Sequence, residues 1–362
     1  MRKLFYLILM AGVLLIVTCK SRPKITEKKE PVSTRWTSAQ AQQWASENGW
    51  LRGCNFNPST AINQLETWQA ESFDTTIINR ELGWAQGIGM NVMRVYLHHL
   101  AWEVDKEGFK NRMKTYLDIA SIHGIKTVFV FFDDCWNPTY KAGKQPYPKP
   151  GVHNSGWVRD PGDLFYTDTT LIDLLEAYVK DVLTTFKDDK RIVIWDLYNE
   201  PGNSGYGNKS LPLLKKVFEW GWEVRPSQPL SVGVWNFGLS DLNKFQIENS
   251  DIITYHNYEN SEKHQAAIDT LKKYNRPMVC TEYMARRNNS LFTNIMPILK
   301  QQNIGAINWG LVAGKSNTKY AWDEPIADGS EPKLWFHEIF HPDGTPYKQE
   351  EVDLINSLTQ TK

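Results

Sequence analysis

The sequence is short of cysteine, with four in 362 residues. Three of them, Cys54, Cys135 and Cys280, stand in apolar segments. An odd number there argues against a disulfide framework, and the spacing matches no zinc motif, so they read as buried thiols. Net charge is missing too: 41 basic residues balance 41 acidic ones. With no basic domain, nucleic acid is excluded as a partner. No apolar run reaches the roughly 20 residues of a membrane-spanning helix. No Gly-rich phosphate loop follows the first internal apolar run, where "GCNFNPST" stands instead. That run carries no His-x-His pair for a metal either. What the chain has in quantity is aromatic side chains, 15 each of Trp, Tyr and Phe. Such a load suits a large core, a sugar-binding cleft, or both.

The N-terminus reads as an export segment, residues 1–18, separate from the fold. Arg2 and Lys3 precede an unbroken run of small and apolar residues from Leu4 to Val17, the pattern of a secretory signal. The run ends in Ile16-Val17-Thr18-Cys19, which resembles the lipobox of bacterial lipoproteins, although Thr18 departs from the usual Gly, Ala or Ser. The resemblance implies an acylated Cys19, a tie to outer-membrane lipid, and a position facing the periplasm or cell surface. Residues 19–35 are polar, charged and Pro-punctuated, as a tether would be. Loss of residues 1–18 removes two basic and no acidic residues, so the charge moves from zero to −2.

With 41% hydrophobic and 23% charged residues, the remainder is a globular chain. Its pattern is alternation. Apolar runs at 51–56, 91–97, 126–132, 191–197, 230–235, 252–258, 277–283 and 304–309 read as strands. Helical patterns lie between them at 76–86, 112–123, 171–186, 211–224, 262–274 and 291–302, with a weak one after the fifth strand and a last one near 349–358. Thr37-Ser38-Ala39-Gln40 reads as a capping box opening a leading helix, and Gly124 and Asn303 read as helix C-caps. Continuous Val/Ile/Phe runs suit strands buried on both faces, as in a parallel sheet. Eight strand–helix pairs predict an α/β fold, a single (β/α)8 TIM barrel over residues 36–362. An open doubly wound sheet is the alternative.

In such a barrel, functional residues collect where strands end. The second strand carries Arg94 and ends near His98 and His99; the third ends in Asp133-Asp134, followed by Trp136. The fourth ends in Asn199-Glu200, the sixth in His256-Asn257-Tyr258, the seventh in Thr281-Glu282-Tyr283, and the eighth in Trp309. A lone strand-end carboxylate is commonly a cap or a salt bridge. Two on opposite strands, with Arg, His and Tyr at sister strand ends, make a catalytic pair the better explanation.

The segments "YNEP", "YHNY", "CTEY" and "NWG", in that order at strand ends four, six, seven and eight, resemble the retaining glycoside hydrolases of clan A, particularly family 5. The resemblance spans about residue 36 to the end. It implies Glu200 as acid/base and Glu282 as nucleophile, with Asn199 on the sugar 2-hydroxyl. It also implies that Arg94 and Tyr258 hold the nucleophile, with His256 and Trp309 at the remaining positions of the centre. A sugar substrate, no metal, no organic cofactor and a monomeric chain go with it. In that chemistry one carboxylate attacks the anomeric carbon and a second carboxyl protonates the leaving oxygen. Arg94 would favour the anion of Glu282, whereas an apolar setting or the Glu282 charge would keep Glu200 protonated.

Family 5 members usually carry His at the third strand end, where this chain has Asp133 and Asp134, which would bind sugar hydroxyls or brace the loop. Strand alternation allows at most one of His98 and His99 to face the barrel mouth. The loop 135–163, with Trp136, Tyr140, Tyr147 and Trp157, is long enough for a cleft wall. Two other functions stay open: a lipid-anchored carbohydrate-binding barrel without catalysis, and a metal-dependent hydrolase using His98, His99 and Asp133.

Overall fold

The computed structural model describes residues 35–360; the export segment, Cys19 and most of the tether lie outside them. Eight parallel strands form one sheet in the order β5-β4-β3-β2-β1-β8-β7-β6. They are β1 (Arg52–Asn55), β2 (Val92–Tyr96), β3 (Lys126–Asp133), β4 (Ile192–Asn199), β5 (Leu230–Ser231), β6 (Ile253–His256), β7 (Met278–Glu282) and β8 (Gly305–Trp309). An isolated parallel bridge, Val234 to Tyr255, links the β5 and β6 sides. The barrel predicted from alternation is the fold observed.

Helices lie outside the strands. The one at Leu171–Phe186 shows why: Leu175, Tyr178, Val179, Val182, Leu183 and Phe186 recur every three or four residues, and all are buried. Each such side chain contributes on the order of 1.5–3 kcal/mol by leaving water. The leading helix, Ser38–Asn48, carries the expected capping box on Thr37 and Gln40. Its Ala41 and Trp44 pack with Val92, Val128, Ile194, Val279 and Ile307, closing the lower end of the barrel.

Strand alternation then sets what lies above that plug. Val92, Arg94 and Tyr96 share one face of β2. Val92 belongs to the lower cluster and Tyr96 to an upper one with Val130, Cys135 and Trp157. Arg94, fully buried, sits between them.

Two expectations change. The fifth strand is two residues long because the next backbone groups are taken by side chains: Ser250 Oγ accepts from Val232 N, and Gln246 Nε2 donates to Gly233 O. The second strand is followed at once by a short helix, His99–Val104, whose N-cap is His98.

Candidate active site

The ends of β3 to β8 surround a cavity of about 340 Å³. Beneath its floor lies Arg94, fully buried. This guanidinium donates to Asp196 Oδ2 from Nε (2.9 Å) and Nη2 (2.8 Å), to Glu282 Oε1 from Nη1 (2.8 Å), and to Asn199 Oδ1 from Nη2 (2.7 Å). Burial opposes its charge, but Tyr96, Asp196 and Glu282 hold its pKa well above the usual value. Glu282 therefore lies against a permanent cation. Tyr96 Oη donates to Oε1 and Tyr258 Oη to Oε2, each at 2.8 Å. Burial and the Glu282 charge push the Tyr258 phenol well up, so it remains a donor.

Glu200 faces this group from β4. Its backbone is left-handed, φ +47°, a conformation that costs a non-glycine residue on the order of 1 kcal/mol or more. The turn behind it is firmly held. Asn203 N donates to Glu200 O (3.0 Å). Asp134 accepts from Gly202 N (2.7 Å), Ser210 Oγ (2.5 Å) and Tyr198 Oη (2.8 Å). Asp134 is thus a brace for the turn that carries Glu200, buried beneath it; burial raises its pKa to about 6.

The Glu200 carboxyl meets His256 Nδ1 at 2.8 Å, the Cys135 thiol at 3.3 Å and the amide of Asn203. Here the protonated acid expected from an apolar setting is corrected. Burial does raise its pKa, but the bond and charge of His256 with the Cys135 and Asn203 donors outweigh it, and the net shift is downward. His256 also stands 3.5 Å from Glu282 Oε2. Ligand-type atoms of Glu200, His256 and Glu282 all lie within 4.8 Å of one another.

Asp133 stands at the cavity wall and accepts from Asn199 Nδ2 (2.9 Å), Cys135 N (2.9 Å) and Trp157 Nε1 (2.7 Å). Burial drives its carboxyl well above the usual range against those donors. It therefore fixes the Asn199 amide, whose oxygen is already taken by Arg94. Trp136 and Trp309 both line the cavity, and Trp309 packs edge-on to Tyr96 and Trp157.

His98 and His99 do not reach the cavity, which corrects their expected place in the site. Alternation stops at the N-cap: His98 Nδ1 accepts from Leu100 N, and its Nε2 donates to Arg159 O (3.1 Å). His99 Nδ1 bonds Asp160 Oδ1, and Asp160 Oδ2 accepts His99 N (2.7 Å). Both histidines brace the returning end of the long loop. Their acidic neighbour is Asp160, so the metal set of His98, His99 and Asp133 is not assembled. In the His98, His99 and Asp160 group the nitrogens are occupied by hydrogen bonds, and at Glu282 a cation would meet Arg94. Neither cluster suits a metal ion.

The sequence reading missed Cys135 as a contact of Glu200, together with Tyr96, Asp196 and Asn203. Tyr96 and Asn203 did leave a signal, two residues after Arg94 on one strand face and three after Glu200. Cys135 and Asp196 left none, because only the fold brings them to their partners.

Residues 166–304 match the family described as glycosyl hydrolases family 2, TIM barrel domain. No curated protein matches the chain by sequence. Among solved structures, the endo-β-1,4-mannanase of Thermotoga petrophila is similar at 14% identity and a TM-score of 0.58, over 88% of this chain and 77% of that one. A GH5_18 variant from Streptomyces cattleya in complex with Manβ1-4GlcNAc is similar at 11% identity and 0.59, over 86% and 82%. The exo-β-1,4-mannosidase of Opitutaceae bacterium strain TAV5 is similar at 14% and 0.60, over 91% and 62%. At these identities the likeness is one of fold, and the fold is that of glycoside hydrolase barrels.

Proposed function

We propose that the protein is a retaining β-glycosidase that hydrolyses O-glycosidic bonds in β-linked oligo- or polysaccharides by double displacement. One observation carries this: a carboxylate oxygen of Glu200 and one of Glu282 lie within 4.8 Å across the cavity. Retaining enzymes hold the two carboxyls about 5–5.5 Å apart, inverting ones roughly 6.5–9.5 Å, to admit a water. Glu282, gripped by Arg94, Tyr96 and Tyr258, is the nucleophile that attacks the anomeric carbon. Glu200 is the acid/base. It delivers the proton to the leaving oxygen, and His256 Nδ1, 2.8 Å from its carboxyl, orients it. In the second step Glu200 takes a proton from water as that water attacks the glycosyl–Glu282 ester.

The cavity wall presents Asp133, Glu200 and Glu282, and among the described residues no Lys or Arg lines it. Neutral sugars are therefore the substrates, with β-mannosides the first class to test given the proteins that share the fold. The facing carboxylates also speak against a barrel that only binds sugar. On the export segment and Cys19, the chain is a lipid-anchored exported protein. The test is hydrolysis of an aryl β-glycoside panel followed by proton NMR of the first product. A β-anomer formed first supports double displacement; an α-anomer formed first refutes it.

A further inference from the structure

Which bond in a chain the site can reach is decided by what stands around the cavity, and the barrel mouth is not evenly built. The segments after β1, β3 and β8 are joined to one another. Asn63 Nδ2 donates to Gly156 O and Gln64 Nε2 to Val158 O, both at 2.9 Å, tying the β1 side to the β3 loop. Lys315 N donates to Ser59 O (3.0 Å), tying the β8 segment to β1. The β3 and β8 segments then meet directly, through Asn154 N to Ser316 O and Ile326 N to Gly151 O, both at 2.9 Å. His153 Nδ1 donates to Tyr320 O (2.8 Å), and its ring packs edge-on to Trp322 and Phe336. Burial holds the His153 pKa down to about 4, so that ring is uncharged at neutral pH. These bonds join the segments after β8, β1 and β3 into one wall.

The opposite side is built from shorter segments. Only four residues separate β6 from the helix at Ser261–Lys272. Beyond β5, Trp235 is half-buried and pinned by its Nε1 to Pro201 O (3.0 Å), and Phe237 is exposed. The two ends also differ in chemistry. The walled end carries the fixed polar groups Asp133 and Asn199 beside Trp309, whereas the open end offers Trp235 and Phe237.

Resting on the glycosidase reading above, we infer that the enzyme is exo-acting and removes one sugar residue at a time from the non-reducing end. The residue that becomes charged in the transition state needs the denser set of oriented polar groups, so the glycone occupies the walled end. The joined β1, β3 and β8 segments stand behind it. The remaining chain leaves over β4, β5 and β6, where an aromatic surface accepts a sugar face without fixing its hydroxyls.

The experiment gives the full-length enzyme hexaoses of β-1,4-mannan, cellulose and xylan, each carrying a fluorescent tag at the reducing end, with products resolved from the first 5% of turnover on, an order-of-magnitude choice that keeps secondary cuts rare. The expected products are untagged monosaccharide and tagged pentaose, at least about tenfold over any other pair, a discrimination of roughly 1.4 kcal/mol. Viscosity of the matching soluble polysaccharide should fall slowly relative to sugar release. Tagged di-, tri- or tetrasaccharides from the start, with a fast drop in viscosity, overturn the inference and leave the glycosidase reading standing. Tagged monosaccharide released first also overturns it, by placing the reducing end behind the wall. No hydrolysis of any hexaose or aryl glycoside refutes the glycosidase reading and this inference together.

Discussion

Replacing Arg94 by Met tests the floor of the site and the stability of the barrel at once. Arg94 is fully buried and donates to two carboxylates, Asp196 and Glu282. The Asp196 side chain is 1% exposed and the Glu282 side chain 5%, so neither can recover its lost partner from water. Breaking one side of a buried ion pair costs about 3–5 kcal/mol. The unfolding entropy scales to roughly 0.7 kcal/mol/K for a folded unit of this size. Arg94→Met should therefore melt on the order of 4–7 °C below wild type by circular dichroism. Loss of a hydrogen bond to the charged Glu282, worth about 1.5–3 kcal/mol, should lower kcat/KM on an aryl β-glycoside by roughly 10- to 100-fold or more. Adding Asp196→Asn separates the effects. It removes the stranded charge farther from the cavity and should recover much of the melting temperature without recovering activity. If Arg94→Met is as stable as wild type, or if the double variant regains activity along with stability, the description of Arg94 as a shared counter-ion is wrong.

Four further outcomes are expected. Glu282→Ala should lose turnover on every substrate, whereas Glu200→Ala should keep a fast first step with a dinitrophenyl glycoside, show a lowered KM, and regain turnover with azide as a β-glycosyl azide. Cys135→Ala removes a donor that helps hold the Glu200 pKa down, so the alkaline limb of kcat/KM should move to higher pH, and Cys135→Ser should leave it in place. Burial gives Asp134 a folded pKa of about 6 against an ordinary carboxyl value of 3.8; between those values the native state binds the extra proton, so wild-type stability should rise relative to Asp134→Asn as pH falls from about 6 to about 4 in denaturant titrations. Cys19→Ser should release the protein from the membrane fraction or block its processing; a wild-type protein found wholly soluble in the periplasm would remove the lipid anchor.

The legible part of this molecule is the part governed by period and by strand ends. Buried strands announce themselves as apolar runs, and helices such as Leu171–Phe186 by their spacing, so the barrel could be read before any coordinate. Arg94, Asn199, Glu200, His256, Tyr258, Glu282 and Trp309 could be found because each stands on or just beyond a strand, and the barrel brings such positions to one mouth. Where the chain leaves the strand, that rule fails. His98 and His99 follow β2 by only two or three residues, yet an N-cap turns them away from the mouth and toward Asp160. Asp160 itself gave no sign, since its partners lie about 60 residues back along the chain. Cys135 shows the same limit from the other side: in sequence it is one more unpaired thiol, following Asp133-Asp134, and only the fold sets it 3.3 Å from Glu200.

The protonation of Glu200 was illegible for a related reason. An apolar approach through Ile194, Trp195 and Leu197 argues for a raised pKa, but those residues pack within the barrel wall, while the carboxyl itself meets three donors. A carboxylate at a strand end is thus found by sequence and tuned by loops. In this chain the loops that tune it, through Cys135 after β3 and Asn203 after β4, grow from the same strand ends as the walls and rim of the cavity. Changes there that alter which sugar fits should therefore also move the pH profile, whereas changes confined to the outer helices should move neither.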